Sequence, residues 1–178
     1  MMEEVRQLVS EGKTVSMTVK GHSMSPFIVH LRDELTLGPF EDADIRRGTV
    51  ALVRDIHGNY LIHRILKRKT FTLPTDTSTD TAVSGAGAAS STDIIGTKAG
   101  THTVDRVLLQ GDGNIGQQEV AELPDVIAIL YSIQRKGKTY QVYPRPCLTW
   151  RIYSRVWLWL TPLRRYLLGA WRRLRKIF

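Results

Sequence analysis

Residues 49 to 66 read TVALVR, DIHGN, YLIHRIL. Two runs rich in β-branched and apolar residues, Thr49 to Arg54 and Tyr60 to Leu66, flank five residues that include His57-Gly58-Asn59. Gly and Asn tolerate left-handed backbone, so this segment turns tightly and the two runs pair as an antiparallel hairpin. Working outward, Thr14 to Lys20 (TVSMTVK) alternates Val15, Met17 and Val19 with polar partners, the period of a half-buried strand. Downstream, Val104 to Leu109, Val126 to Gln134 and Thr139 to Tyr143 are β-rich and separated by Gly-containing turns. Strands at such short spacing predict a mostly-β domain, preceded by a short helix over residues 2 to 11, where Val5, Leu8 and Val9 fall at helical spacing and Gly12 stops the run.

The Thr-, Ser-, Ala- and Gly-rich stretch from Thr72 to Thr101 holds almost no large apolar residue and is expected to be a mobile loop. The predicted organisation is thus a β domain over 1 to 146, interrupted at 72 to 101, and a tail over 147 to 178.

Charge separates the same two parts. The 178 residues carry 25 Lys and Arg against 17 Asp and Glu, and residues 148 to 178 hold eight of the bases and no acid. The remainder is balanced at 17 against 17, so a basic nucleic-acid-binding body is excluded. The lone Cys147 has no internal disulfide partner and matches no metal-ligand spacing. No cofactor is expected. The start, MMEEVRQLVSEGK, lacks the features of a secretory signal, and no stretch nears the roughly 20 apolar residues that span a bilayer.

All four Trp lie in the tail, LTWRIYSRVWLWLTPLRRYLLGAWRRLRKIF, which Pro162 should break into two helical pieces. The cationic, aromatic, amphipathic pattern predicts a segment lying in the headgroup region of an anionic membrane, through Trp157, Trp159, Arg164, Arg165, Trp171, Arg172 and Arg173. The competing reading packs this helix on the β domain or on a second copy.

Three strings have chemical potential. Gly21-His22-Ser23-Met24-Ser25-Pro26 follows a strand; glycine beside a serine lets backbone amides approach a carbonyl that the hydroxyl attacks, although alone the string also suits a simple turn. His63, beside Arg64 in an apolar strand, titrates near neutrality and is able to take a serine proton, although a lone strand His is more often structural. Gly111-Asp112-Gly113-Asn114 carries an Asp on a tight loop, suited to orient an imidazole; Asp105 is the alternative carboxylate.

Together and in this order, residues 19 to 27, 44 to 53, 60 to 65 and 109 to 114 resemble the boxes of the membrane-associated serine peptidases related to type I signal peptidases and LexA-like self-cleaving repressors. The residue before the Arg of the base box is His63, where bacterial signal peptidases and LexA-like proteins carry Lys, so the chain is most similar to the Ser-His type of endoplasmic-reticulum and sporulation signal peptidases. Lys67 and Lys69 share strand parity with His63, but Lys67 lies about 13 Å farther along an extended strand.

The resemblance implies a signal-peptidase-like β fold and acyl transfer. Ser23 would be the nucleophile, His63 the base and Asp112 its helper, with the Ser23 amide in the loop of Gly21, His22 and Met24 binding the oxyanion. It further implies an extended peptide or precursor protein as substrate. The expected function is therefore a peripheral membrane serine endopeptidase, and the lack of a signal sequence together with the basic tail puts its catalytic domain on the cytoplasmic side. The alternative is a catalytically silent, membrane-tethered domain of the same fold that only holds a peptide. A LexA-like DNA-binding role is disfavoured, because residues 1 to 13 leave no room for a helix-turn-helix.

Overall fold

A computed structural model describes residues 2 to 74 and 101 to 174. The elements are α1 (Met2–Ser10), β1 (Val15–Thr18), β2 (Glu34–Gly38), β3 (Val50–Arg54), β4 (Tyr60–Pro74), β5 (Thr101–Gln110), β6 (Glu119–Glu122), β7 (Val126–Arg135), β8 (Lys138–Gln141), α2 (Leu148–Trp159) and α3 (Arg164–Leu174), with short 3-10 turns between some of them. The fold is mostly β, as the strand spacing predicted. All pairings are antiparallel, in the order β1-β2-β7-β3-β4-β5-β6, with β8 also on β7.

The hairpin forms with Val50 opposite Arg64 and Arg54 opposite Tyr60. Its first strand is apolar without alternation because both faces are covered. Val50 and Leu52 point into one core with Leu35, Leu37, Leu130 and Ile133, while Ala51 and Val53 join Ile65, Val107, Leu109 and Ile129 in the other. α1 caps the first core with Val5 and Val9, and Gly12 follows it at φ +81°, the left-handed conformation that ends helices. Asp33, just before β2, is fully buried. Burial would raise its carboxyl, but donors on Arg32, Arg135 and the Val29 backbone prevail and hold it at about 2.

Three expectations need correcting. First, β4 does not end at Leu66. It continues to Pro74 against β5, with Thr72 to Pro74 opposite Thr101 to Thr103, so the ends of the expected loop are paired strand; residues 75 to 100 lie outside the described residues. Arg68 binds Asp105 and Asp42 along this ribbon, so charge pairs replace the apolar pattern that marks a strand in sequence. Second, the register shifts between Ile65 and Lys67, where one extra residue reverses the facing of those that follow, so Lys67 and Lys69 do not share the parity of His63. Third, β2 (ELTLG) and β6 (EVAE) are additional strands that the sequence reading did not include.

The tail breaks at Pro162, as expected. Trp157, assigned from sequence to the membrane, is instead buried against the protein with Trp150, and its ring stacks on Tyr153 at 5.7 Å. Trp159 is 79% exposed, and Arg165 and Arg173 are also exposed. Arg164, Trp171 and Arg172, likewise expected to face lipid, have side chains outside the described residues. Among the described residues no helix is long and apolar enough to cross a membrane.

Candidate functional site

The chain leaves β1 at Thr18 and enters the loop of residues 21 to 26 through Gly21, whose φ of +109° only glycine adopts without strain. Met24 and Ile28 are buried in the first core and anchor the loop from beneath. Above it, the Gly21 N–H donates to His30 Nδ1 at 2.9 Å, and the Ser25 N–H donates to the His22 carbonyl at 3.1 Å. Ser23 is left half-buried with its side chain at the surface of a cleft. Its own N–H has no hydrogen-bond partner among the described residues, so it is available to a substrate oxygen.

The loop of residues 111 to 114 sits directly on this one. The Gly113 N–H donates to the Ser23 carbonyl at 2.6 Å, and the two backbones approach so closely that neither Gly111 nor Gly113 has room for a side chain. A Cβ built on Gly111 would collide with the Ser23 carbonyl oxygen and lie 3.0 Å from both Ser23 Cβ and His63 Nε2. Those two atoms are therefore separated by at most twice that distance, about 6 Å. Segments 40 residues apart thus converge as expected for Ser23 and His63, with Nε2 as the ring nitrogen on the Ser23 side. We expect Gly111→Ala to force the pair apart and slow any acylation of Ser23 by about 100-fold or more, measured as the rate of reaction with a fluorophosphonate; an unchanged rate would show that the close approach is unimportant.

His63 sits on β4 opposite Ala51 and is only 2% exposed. Its Nδ1 is 3.0 Å from Glu119 Oε2 at the start of β6. With Nδ1–H donating to the Glu119 carboxylate, the Nε2 lone pair is left toward Ser23, the tautomer a general base requires. Burial lowers the His63 pKa from its ordinary value. The charge and hydrogen bond of Glu119, and more weakly the charge of Asp112, oppose this without reversing it, so the site favours the neutral ring.

Asp112 does not orient the imidazole. Its carboxylate receives Arg64 Nε at 2.8 Å and Nη2 at 2.7 Å, with the Tyr153 hydroxyl donating at 2.8 Å. The reason is the alternation of β4: successive residues face opposite ways, and Asp112 lies on the side of Arg64, whose planar fork takes both carboxylate oxygens. Asp105 is engaged by Arg68 instead. Arg64 is itself fully buried, donating to the Gly48 carbonyl and Ser154 Oγ, with Trp150 and Tyr153 rings over its guanidinium at 5.2 and 5.7 Å. Arg64 is thus the post that ties the loop of residues 111 to 114 to α2.

Sequence reasoning missed Glu119, His30 and Tyr153. Glu119 opens a four-residue strand with no motif around it, opposite Leu109 near the end of β5, and meets a histidine 56 residues earlier in the chain.

Beside Ser23 runs a cleft of about 470 Å³, lined by Met17, Val19, Met24, Ile28, Leu52 and Ile62 among others. Two strand edges border it. Among the described residues β1 pairs only with β2, and no strand pairs with residues 60 to 63 of β4 on the side away from β3. Met2 of α1 closes one end, where the Tyr60 hydroxyl donates to Glu3 at 2.5 Å. Among the described residues no group of three or more His, Cys, Asp or Glu is gathered to hold a metal. Compared with protein-family models, curated proteins and solved structures, the chain matches none.

Proposed function

We propose that the protein is a signal-peptidase-like serine endopeptidase working at a membrane surface, which cleaves a leader or precursor peptide through an acyl-enzyme on Ser23. One observation carries this reading: Ser23 Cβ and His63 Nε2 flank the same point above Gly111 while His63 Nδ1 is held by Glu119. In the proposed reaction His63 takes the Ser23 proton as the hydroxyl attacks the scissile carbonyl, and the Ser23 N–H receives the developing oxyanion. His63 then protonates the leaving amine, and water releases the acyl group by the reverse use of the same base. The bordering edges of β1 and β4 suit an extended substrate, since each offers backbone groups to a peptide laid beside it.

The membrane part of the reading rests on α2. Its buried face carries Trp150, Tyr153 and Trp157; on the opposite face Leu148, Ile152, Val156 and Trp159 recur at spacings of four, four and three, all exposed. The exposed apolar run goes on through Leu163, Tyr166 and Leu167. A helix with apolar side chains on both faces covers one with protein and needs another apolar phase for the other.

A fluorophosphonate probe tests the enzyme. We expect a covalent adduct at Ser23 in the native protein, none in Ser23→Ala, and a much slower one in His63→Ala. Equal labelling of all three would remove the catalytic reading. It would leave the second, a silent peptide-holding domain, which one observation favours: no hydrogen bond joins Ser23 Oγ to His63 among the described residues.

A further inference from the structure

Between the N-terminal approach to β3 and α2 lies a second cleft, of about 390 Å³, on the other side of the molecule's Arg64 post. Four arginines line it: Arg46 and Arg47 from the approach, Arg151 and Arg155 from α2. The only carboxylate among the described lining residues is Asp44, which accepts from the Tyr143 hydroxyl at 3.1 Å and the Glu41 N–H at 3.0 Å. None of the four arginines has an ion-pair partner among the described residues, whereas Arg64, Arg68 and Arg135 are each paired. Four exposed guanidiniums around one cleft repel one another, an arrangement that a polyoxygen anion relieves.

The position of the cleft says which anion. At about 100° per residue, Arg151 and Arg155 lie one turn apart at the border of the exposed Leu148-Ile152-Val156-Trp159 stripe, and Ser154 and Leu158 beneath them line the cleft. When that stripe rests in the acyl boundary, the arginines stand at headgroup level. The floor is apolar, with Val50, Ile129 and Trp150, which suits the glycerol and first methylenes of a lipid better than a free hydrated ion.

We infer that the cleft between residues 46 to 49 and α2 binds the phosphate of an anionic phospholipid headgroup, an inference that rests on the membrane reading above and gives it a specific ligand. The site fixes how the domain sits on the bilayer, because the arginines of β3's approach belong to the β domain rather than to the tail.

Full-length protein titrated with dihexanoyl phosphatidylglycerol below its micelle concentration tests this by amide NMR. We expect saturable shifts at Gly48, Thr49 and Ser154, weakened at least about tenfold in Arg46→Gln/Arg151→Gln. The same shifts should be unaltered in Lys67→Gln/Lys69→Gln, which removes equal charge from the distant ribbon. Equal binding of dihexanoyl phosphatidylcholine, an unweakened response in the arginine variant, or full reproduction of the shifts by the same concentration of inorganic phosphate would each overturn the assignment. Protein that sediments with phosphatidylglycerol vesicles but shows no cleft shifts overturns this site and leaves the membrane reading standing. Protein that takes the short-chain lipid yet ignores vesicles supports the site and overturns the membrane reading alone.

Discussion

Glu119→Gln should slow acylation of Ser23 by about 10²- to 10⁴-fold without disturbing the fold, the scale on which a positioned base and its orienting carboxylate act. The variant keeps the size of the side chain but loses the charge that stabilises the imidazolium formed when His63 takes the serine proton. The pH profile carries the sharper signature. Only neutral His63 accepts a proton, so acylation in the native protein falls as pH drops through the His63 pKa, which burial places below its ordinary value of 6.5. Glu119 raises that pKa against burial through both its charge and its hydrogen bond. Its removal should therefore move the acid limb to still lower pH even as the plateau falls. A limb that moves upward, or a plateau that does not change, would show that Glu119 is not the partner of the working imidazole.

Asp112→Asn should act on stability first. Asp112 and Arg64 are both fully buried, and Asn supplies neither the charge nor the second acceptor oxygen that the guanidinium fork needs. Breaking such a pair strands a buried cation, at a cost of about 3 to 5 kcal/mol, a large share of the 5 to about 15 kcal/mol that hold a domain of this size. We expect urea unfolding to show this loss with an unchanged slope, and the melting temperature to fall by about 10 °C. Arg64→Met/Asp112→Leu, which removes both charges, should recover part of it, short of full stability because Gly48, Ser154 and Tyr153 lose a partner. If Asp112→Asn instead keeps its melting temperature and loses acylation at 25 °C, then Asp112 acts on the imidazole after all and the division of labour between the two carboxylates is reversed.

The contrast between these two acids shows where local pattern stops being informative. Asp112 follows a glycine in a tight loop, the setting of a functional carboxylate, and that loop does pack directly on the Ser23 loop. Its direction is set by competition: a fully buried guanidinium offers two charge-assisted hydrogen bonds, and an imidazole on the opposite face of the strand offers one. Nothing in the string Gly-Asp-Gly announces that Arg64 wins. The glycines had a readable meaning of another kind, because each side chain they omit makes room for the backbone of the Ser23 loop.

The tryptophans divide in the same way. Trp157 and Trp159 stand in one alternating apolar run, WLWL, and composition assigns both to lipid. Two residues along a helix are separated by about 200°, so only one of them can face the protein. Which one does depends on which face of α2 meets the β domain, and that is the face of Trp150 and Tyr153, whose rings cover the Arg64 guanidinium of β4.

What residue order alone determined is the set of features with short-range causes. These are the β3–β4 hairpin, from its turn chemistry; the alternating β1; the helix stop at Gly12; the break at Pro162; and the approach of Ser23 to His63, from strings whose order resembles a known arrangement. Folding in three dimensions decided which acid holds His63, which Trp is buried, and that four unpaired arginines share one cleft. Partners in these cases are chosen by distance and direction between segments 16 to 90 residues apart, as Arg64 chooses Gly48 and Ser154, and no period or motif encodes a distance through space.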